Sequence, residues 1–361
     1  MKKNNRIQFW RIVFTYVIAY YHLNNVYKNY MSWYIAVEFF FLVSGYLLAA
    51  KNERSRDAEL QTEADDDCGG RRDANIAAAG GNISAYQYVK GKYIHFFPHC
   101  LYSFAVAMLA NGYMNHYTAK RYLDGFVTHL PEVFLVQSTG LNYSSSFLYN
   151  SVTWYISVLL ICSYFIWYLL TEHPQLYKEV LIPLSILLIY PYLYRTYGSL
   201  SEHRETLGFF LNSAVLRGMA DMNLGVLSFC FSQKIRAKNL RGTGIISDLL
   251  FVGVILLSAT GYQTSMDFLC LALLFVAVSF AFSCEKNRCF DHKLIEKWSS
   301  ITIAIYLNHK VFRNLWKIIW PVCTPVAMIS WFLFITVYSA ITYSIFMGSI
   351  GERVKKCVRS R

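Results

Sequence analysis

Residues 33–50, WYIAVEFFFLVSGYLLAA, carry a single charged side chain, that of Glu38. A run of 18 or more mostly apolar residues is typical of a membrane-spanning helix, because about 20 helical residues cross the ~30 Å hydrocarbon core. The whole chain has this character, since 55% of its 361 residues are hydrophobic and only 16% are charged. Soluble domains carry about 25% charged residues. The composition therefore favours a membrane protein and excludes a disordered one.

Similar apolar runs recur along the chain between charged connectors. They predict an all-α fold, a polytopic integral membrane bundle of about ten transmembrane helices. The stretch 122–137 is too polar for a span, and we predict a re-entrant or interfacial segment there. The predicted spans are 7–26, 33–50, 93–113, 151–170, 179–196, 207–232, 244–260, 266–284, 299–318 and 326–348.

The distribution of positive charge predicts the orientation of these spans. With the N-terminus inside, the inside connectors hold 24 of the 34 lysines and arginines, as the positive-inside rule requires. We therefore predict cytoplasmic termini, a membrane domain over 1–348 and a basic cytoplasmic tail over 349–361. Within a cytoplasmic loop at 51–92, the charged and glycine-rich segment 52–81 is predicted to be flexible.

Several classes of protein are disfavoured. The nine cysteines lack metal-type spacing and mostly lie in apolar runs, so we expect neither a zinc site nor a disulfide scaffold. The net charge of +12 is spread over short inside segments, whereas nucleic-acid binding needs a clustered basic face. No phosphate-binding loop or dinucleotide motif is present. We expect no metal, no bound cofactor and no nucleic acid.

Arg11 and His22 interrupt the first predicted span. An ionisable side chain in a span costs about 2.5–3.5 kcal/mol on insertion scales. Eleven residues make three helical turns plus about 20°, which puts both side chains on one helix face about 16 Å apart. The pair would offer a cation near the cytoplasmic surface and a proton acceptor near the outer one. The alternative is that Arg11 reaches lipid phosphate and His22 hydrogen-bonds a neighbouring helix.

Other polar residues of the predicted spans also allow two interpretations. Arg217 and Asp221 are four residues apart, a spacing that lets them neutralise each other on one helix face. Lys92 and His95 begin the third span, where basic residues either anchor a helix to anionic lipid or bind phosphate. Glu38 either orients a functional group or makes a hydrogen bond between packed helices.

Four segments of the chain carry recognisable motifs in a fixed order: Arg11 through His22, VEFFFLVSGYL at 37–47, RGMAD at 217–221 leading to Gly225, and IYLNH at 305–309. This ordered set resembles the motifs of the integral-membrane acyltransferase-3 family, which includes bacterial O-acetyltransferases of surface polysaccharides. Two features differ from the family pattern: Lys92 and His95 stand where two arginines are usual, and Leu159 replaces a glutamate.

The resemblance implies a donor and an acceptor. The donor is acyl-CoA, most often acetyl-CoA, and the acceptor is a hydroxyl of a carbohydrate or lipid-linked glycan. It also implies a multi-pass protein of the cell (inner) membrane. The implied roles are His22 as catalytic base, with Glu38 and Arg11 in the catalytic group, Arg11, Lys92 and His95 for the CoA phosphates, and Ser44, Arg217, Asp221 and His309 in the acceptor site or in support.

Two other functions remain open from the sequence. Intramembrane Arg, His, Asp and Glu residues also form proton relays in transporters and flippases. The replaced arginines and glutamate equally fit a catalytically weakened relative of the acyltransferases. Consumption of acyl-CoA by the purified protein without any gradient separates an enzyme from both.

Overall fold

A computed structural model describes residues 4–27, 31–67, 83–139, 148–207, 211–261, 266–284 and 290–346. Regular structure in this part is helical, apart from an antiparallel pair of two-residue strands, β1 Thr206–Leu207 and β2 Leu211–Asn212. The helices are α1 Asn5–Val26, α2 Ala36–Asp67, α3 Ala85–Met114, α4 Ala119–Thr128, α5 Leu130–Val133, α6 Trp154–Glu172, α7 Pro174–Tyr197 with a π-helical segment at Tyr177–Leu181, α8 Ser213–Ala237, α9 Thr243–Ala259, α10 Asp267–Ser283, α11 Lys293–Ile319 and α12 Pro325–Ile345.

Six helices of the described part are long and apolar enough to cross a membrane. Helices α9 and α10 are apolar but have only 17 residues each. Helices α1 and α11, which carry the polar residues of the first and ninth predicted spans, are outside this set of six. The six are Trp33–Ala58, Ala85–Met114, Ser151–Glu172, Pro174–Tyr197, Ser213–Ala237 and Pro325–Ile345.

Helix α2 continues well beyond its predicted span, which corrects the expectation of an unstructured loop from residue 52. The chain stays helical to Asp67, because residues 51–67 contain neither glycine nor proline and are rich in strong helix formers. The remainder of the predicted flexible segment and the basic tail lie outside the described residues.

The polar stretch 122–137 forms two short helices. Helix α4 has ten residues, about 15 Å, and α5 has four. Neither is long enough to cross the hydrocarbon core. Charged and polar side chains cover one face of α4, whose residues are all at least partly exposed.

Helix α8 occupies the centre of the bundle and packs against α2, α6, α7 and α10. Its closest approach is to α2, where Gly45 lies against the backbone of Met222 and Gly225 lies against the backbone of Leu42. A Cβ atom on either glycine would overlap that backbone. The two glycines therefore let the helix backbones touch, which brings the acidic start of α2 opposite the start of α8.

Helix α1 packs along α11 and is fixed at both ends. At its beginning, Arg6 forms a 2.6 Å ion pair with Asp248 of α9, and the Trp10 indole donates to the same carboxylate at 2.8 Å. At its end, the Tyr27 hydroxyl donates to the carbonyl of Trp320 at 2.6 Å. These contacts fix the position of α1 along its own axis, and with it the positions of its polar residues beside α11.

Candidate active site

A pair of histidines lies where α1 meets α11. His309 Nε2 is 3.1 Å from His22 Nδ1, and the ring centroids are 4.9 Å apart. His309 is completely buried, whereas His22 is only partly buried. The sequence placed these two residues 287 positions apart, and helix packing brings them into direct contact.

The hydrogen bonds around this pair fix which ring nitrogen carries the proton. His22 Nδ1 lies 3.0 Å from the carbonyl oxygen of Ile18, and a carbonyl only accepts. His22 Nδ1 is therefore the protonated nitrogen, and it donates to both this carbonyl and His309 Nε2. His309 Nδ1 faces the carbonyl of Ile305 at 3.3 Å in the same manner. This network leaves His22 Nε2 with a free lone pair, as a general base requires.

A cavity of about 280 Å³ opens beside His22. Its volume lies near the lower end of the ~300–1,000 Å³ usual for small-molecule sites. Unlike most such sites it has a largely polar wall. We call it the His22 cavity, and it is lined by Ile18, Tyr21, His22, Asn25, Tyr34, Val37, Ser151, Val152, Trp154, Ser201, Glu202, His203, Arg204, Arg217, Lys310 and Arg313.

The segment between α7 and α8 forms one wall of the His22 cavity. Asp267, at the start of α10, accepts a 3.0 Å hydrogen bond from the Leu200 N–H, and this bond attaches the segment to α10. The His203 ring stacks on Trp154 with 4.7 Å between centroids. Burial lowers the pKa of His203 to about 4, so this imidazole is neutral at pH 7.

Arg217 and Glu38 form a buried ion pair in the floor of the cavity. Arg217 Nε donates to Glu38 Oε1 at 2.7 Å, and a second guanidinium nitrogen contacts the same oxygen. The Arg217 guanidinium also lies over the Trp154 ring at 5.6 Å. Glu38 thus contacts Arg217 across the two packed helices. The predicted neutralisation of Arg217 by Asp221 is replaced by a pair between α8 and α2.

Asp221 extends this buried cluster away from the cavity. Tyr190 donates to Asp221 Oδ1 at 2.6 Å, while Asp221 Oδ2 and Glu38 Oε2 are buried without a hydrogen-bond donor among the described residues. Arg217 attracts both carboxylates, so the buried cluster depends on this one guanidinium for its positive charge.

Arg11 and Ser44 both lie near the Tyr155 hydroxyl. Arg11 Nη1 donates to Gln8 at 3.1 Å, and its charge interacts with the Tyr155 hydroxyl. Ser44 Oγ is 3.3 Å from the same hydroxyl. Arg11 therefore faces the inside of the bundle, on the side where His22 meets His309, and Ser44 contacts α6 without lining the cavity.

A second group of cations lies far from the His22 cavity, where α2, α3 and α6 meet. Lys92 Nζ is 5.0 Å from the Tyr88 ring centroid and 3.4 Å from Ser163 Oγ, and Lys51 Nζ is 4.9 Å from the same ring. We call Lys51 and Lys92 the lysine pair. His95, expected to act with Lys92, is exposed on the surface of α3.

Glu132 supports the chain that leads into α6. Its carboxylate accepts the backbone N–H groups of Tyr149 at 3.0 Å and Asn150 at 2.7 Å. The Asn150 amide in turn donates to the Leu307 carbonyl of α11 at 2.9 Å. Burial raises the pKa of Glu132 to about 7. Through Asn150, this carboxyl ties the polar stretch 122–137 to the helix that carries His309.

Sequence reasoning missed Lys310, Arg313, Arg204 and Lys51. Lys310 and Arg313 fall inside the ninth predicted span. A charged side chain is costly there, and that cost alone indicated that both residues have a function. Arg204 and Lys51 lie in or beside connectors, where positive charge is ordinary, and their position gave no signal. Over the described ranges, no group of three or more His, Cys, Asp or Glu side chains is arranged to hold a metal ion.

Comparison with known proteins gives one match. A family model for an acyltransferase domain, Acyl_transf_3, matches residues 5–348, nearly the whole chain. No curated protein and no solved structure matches the chain.

Proposed function

The chain belongs to the acyltransferase-3 family, and we propose that it moves an acyl group from acyl-CoA to a carbohydrate hydroxyl, with His22 as general base. As a member of this family it is a membrane acyltransferase. The donor, the acceptor and the residue roles are the proposed part. The observation that carries the proposal is the free Nε2 of His22 at the polar His22 cavity, fixed by the buried His309.

The proposed reaction balances as a direct transfer. His22 Nε2 takes the proton of the acceptor hydroxyl while its oxygen attacks the thioester carbonyl, which forms a C–O bond. The C–S bond then breaks, and the CoA thiolate leaves with the proton returned by His22. Asn25 Oδ1 is buried in the cavity wall without a hydrogen-bond donor from the described residues. It is suited to accept another hydroxyl of a sugar.

The positions of the cations support separate donor and acceptor ends. We propose ten spans with both termini in the cytoplasm, as the positive-inside rule favours, and a location in the cell membrane. The membrane domain would then comprise residues 1–348, with a cytoplasmic tail at 349–361. The lysine pair would lie at the cytoplasmic end, where it would bind CoA phosphates, with Arg11 between that end and the His22 cavity.

A His22→Ala substitution tests the base. We expect acetyl transfer from labelled acetyl-CoA by purified protein in nanodiscs to fall by about 10²–10⁴-fold, without any gradient across the membrane. The matched control is His173→Ala, because His173 is exposed at the end of α6. Full activity of the His22 variant would refute its role. Substrate transport without any acetyl-CoA consumption by the unchanged protein would instead support a transporter.

His309 acts in this proposal as a positioning residue, since it touches His22 and does not line the cavity. We expect His309→Ala to lower kcat by about tenfold and to change its pH profile, because His22 loses its Nδ1 partner. His309→Gln retains a side-chain hydrogen-bond acceptor and should restore part of the activity. An unchanged pH profile in the alanine variant would show that His309 has only a structural role.

A further inference from the structure

Three cations besides Arg217 line the His22 cavity. Lys310 and Arg313 come from α11, and Arg204 comes from the segment between α7 and α8. Their charges repel one another. Like charges gathered in a partly buried site destabilise it unless an opposite charge is present.

The described residues do not neutralise this group. Lys310 donates to Ser151, an uncharged hydroxyl. Arg313 Nε is buried without a hydrogen-bond acceptor in the described part of the chain. No carboxylate of that part lies within ion-pair distance of Arg313 or Arg204.

Three carboxylates close to the cavity make their hydrogen bonds to other groups, and their charges offset only part of the positive charge. Glu202 Oε1 accepts the backbone N–H groups of His203 at 2.7 Å and Arg204 at 2.6 Å. Glu38 is bound to Arg217. Glu132 attracts Lys310, but both of its oxygens accept backbone N–H groups. The His22 cavity therefore keeps an excess of positive charge.

We propose that the acceptor is an anionic sugar, whose carboxylate or phosphate is bound by Arg313 and Arg204 while its hydroxyl faces His22. This inference rests on the proposed acyl transfer. A guanidinium presents a planar fork of donors that matches a carboxylate or phosphate. The bound anion would also offset the positive charge that His22 acquires when it takes the hydroxyl proton.

The distance between the two cationic groups argues that these arginines do not serve the donor. Fourteen residues of α2 separate Val37, which lines the His22 cavity, from Lys51 of the lysine pair, and this corresponds to about 21 Å along the helix. The lysine pair lies apart from the cavity wall, on α2 and α3. The CoA phosphates and the acceptor anion would thus each have a separate cationic site.

Binding of defined probes to the full chain in nanodiscs tests this proposal. The probes are D-glucuronate, its neutral amide D-glucuronamide, and glucose 6-phosphate. We expect glucuronate or the phosphate to bind at least about tenfold more tightly than the amide, because charge-assisted hydrogen bonds are about twice as strong as neutral ones. A preference for glucuronate identifies a carboxylate acceptor, and a preference for glucose 6-phosphate identifies a phosphorylated one.

Three variants assign the preference to the cavity. Arg313→Gln should remove most of it, Arg313→Lys should retain part of it, and Arg195→Gln should leave it unchanged, because Arg195 is exposed at the end of α7. Equal binding of charged and neutral probes would overturn the inference. It would also be overturned if Arg313→Gln weakened binding of coenzyme A and not of the sugar probes.

The same protein separates failure of this inference from failure of the proposed function. Acetyl-CoA consumption with no preference for anionic sugars would refute the anionic acceptor and leave acyl transfer standing. Arginine-dependent binding of an anionic sugar without any acetyl-CoA consumption would support the anion site and refute the acyl transfer on which its role as an acceptor rests.

Discussion

Arg217 at the His22 cavity is held by hydrogen bonds to a carboxylate, whereas the two cations of the lysine pair lie over one aromatic ring. Arg217 is fixed by two bonds to one carboxylate oxygen. Lys51 and Lys92 instead flank Tyr88 at 4.9 and 5.0 Å from its centroid. Guanidinium forks fix geometry, while ammonium groups on flexible stems supply charge.

This difference suits the two ends to different tasks. A site that places one hydroxyl beside one imidazole needs precise geometry, because small misplacements reduce catalysis strongly. A site that binds the phosphates of a donor far from its reacting thioester needs charge more than position. The following experiments test whether the two ends differ in this way.

The largest expected effect is at the buried ion pair. Arg217→Ala leaves Glu38 and Asp221 without their cation, and removal of one partner of a buried pair costs about 3–5 kcal/mol. We expect a strong decrease in the thermal midpoint of unfolding in detergent. The exposed Arg195→Ala is the control.

A double variant sharpens this test. The double variant Arg217→Ala and Glu38→Ala removes both members of the ion pair, so neither is left buried without its partner. We expect it to regain part of the stability lost in Arg217→Ala. A single Arg217→Ala variant as stable as the control would show that this pair does not hold α2 to α8, and the contrast between the two ends would fail.

At the lysine pair the expected effect is smaller and concerns binding alone. The double variant Lys51→Gln and Lys92→Gln should raise KM for acetyl-CoA by about tenfold with kcat unchanged. The substitutions remove positive charge that binds the donor equally in the ground state and in the transition state. S-acetylpantetheine, which lacks the CoA phosphates, should show the same KM with both proteins. Lys90→Gln is the control, since Lys90 is exposed on the same helix. A lower kcat instead would place the lysines in the chemical step.

A separate expected effect is a pH dependence of stability from Glu132. Its native pKa of about 7 exceeds the ordinary value of 4.5, so between these pH values the native state binds more protons than the unfolded state. Stability from this group is therefore present at low pH and is lost as the pH rises from about 4.5 to 7. Glu132→Gln should flatten this part of the profile of unfolding midpoint against pH. The exposed Glu179→Gln should leave the profile unchanged.

The sequence predicted the helical bundle well because long apolar runs report span positions directly. The sequence also indicated which polar residues are candidates for a function, since each interrupts an apolar run. These are Arg11, His22, Glu38, Arg217 and His309. The same signal was present at Lys310 and Arg313 but was overlooked. The helical segment to Asp67 was misjudged because its charge was interpreted as disorder, although its residues are good helix formers.

The pairing of these residues required the tertiary structure. Helical spacing joins residues only within one helix, so Arg217 was matched with Asp221, and its actual partner Glu38 lies 179 residues away. The contact between His22 and His309 and the cluster of Arg204 with Lys310 and Arg313 depend equally on which helices touch.

The amino-acid order alone determined a helical membrane protein and the polar residues that interrupt its apolar runs, because the cost of polar groups in hydrocarbon acts on each segment separately. Only the packed bundle decided which nitrogen of His22 is free, which carboxylate holds Arg217 and which cations share one cavity. Those properties arise from distances between helices, and the close approach of α2 to α8 at Gly45 and Gly225 is one that side-chain periodicity does not specify.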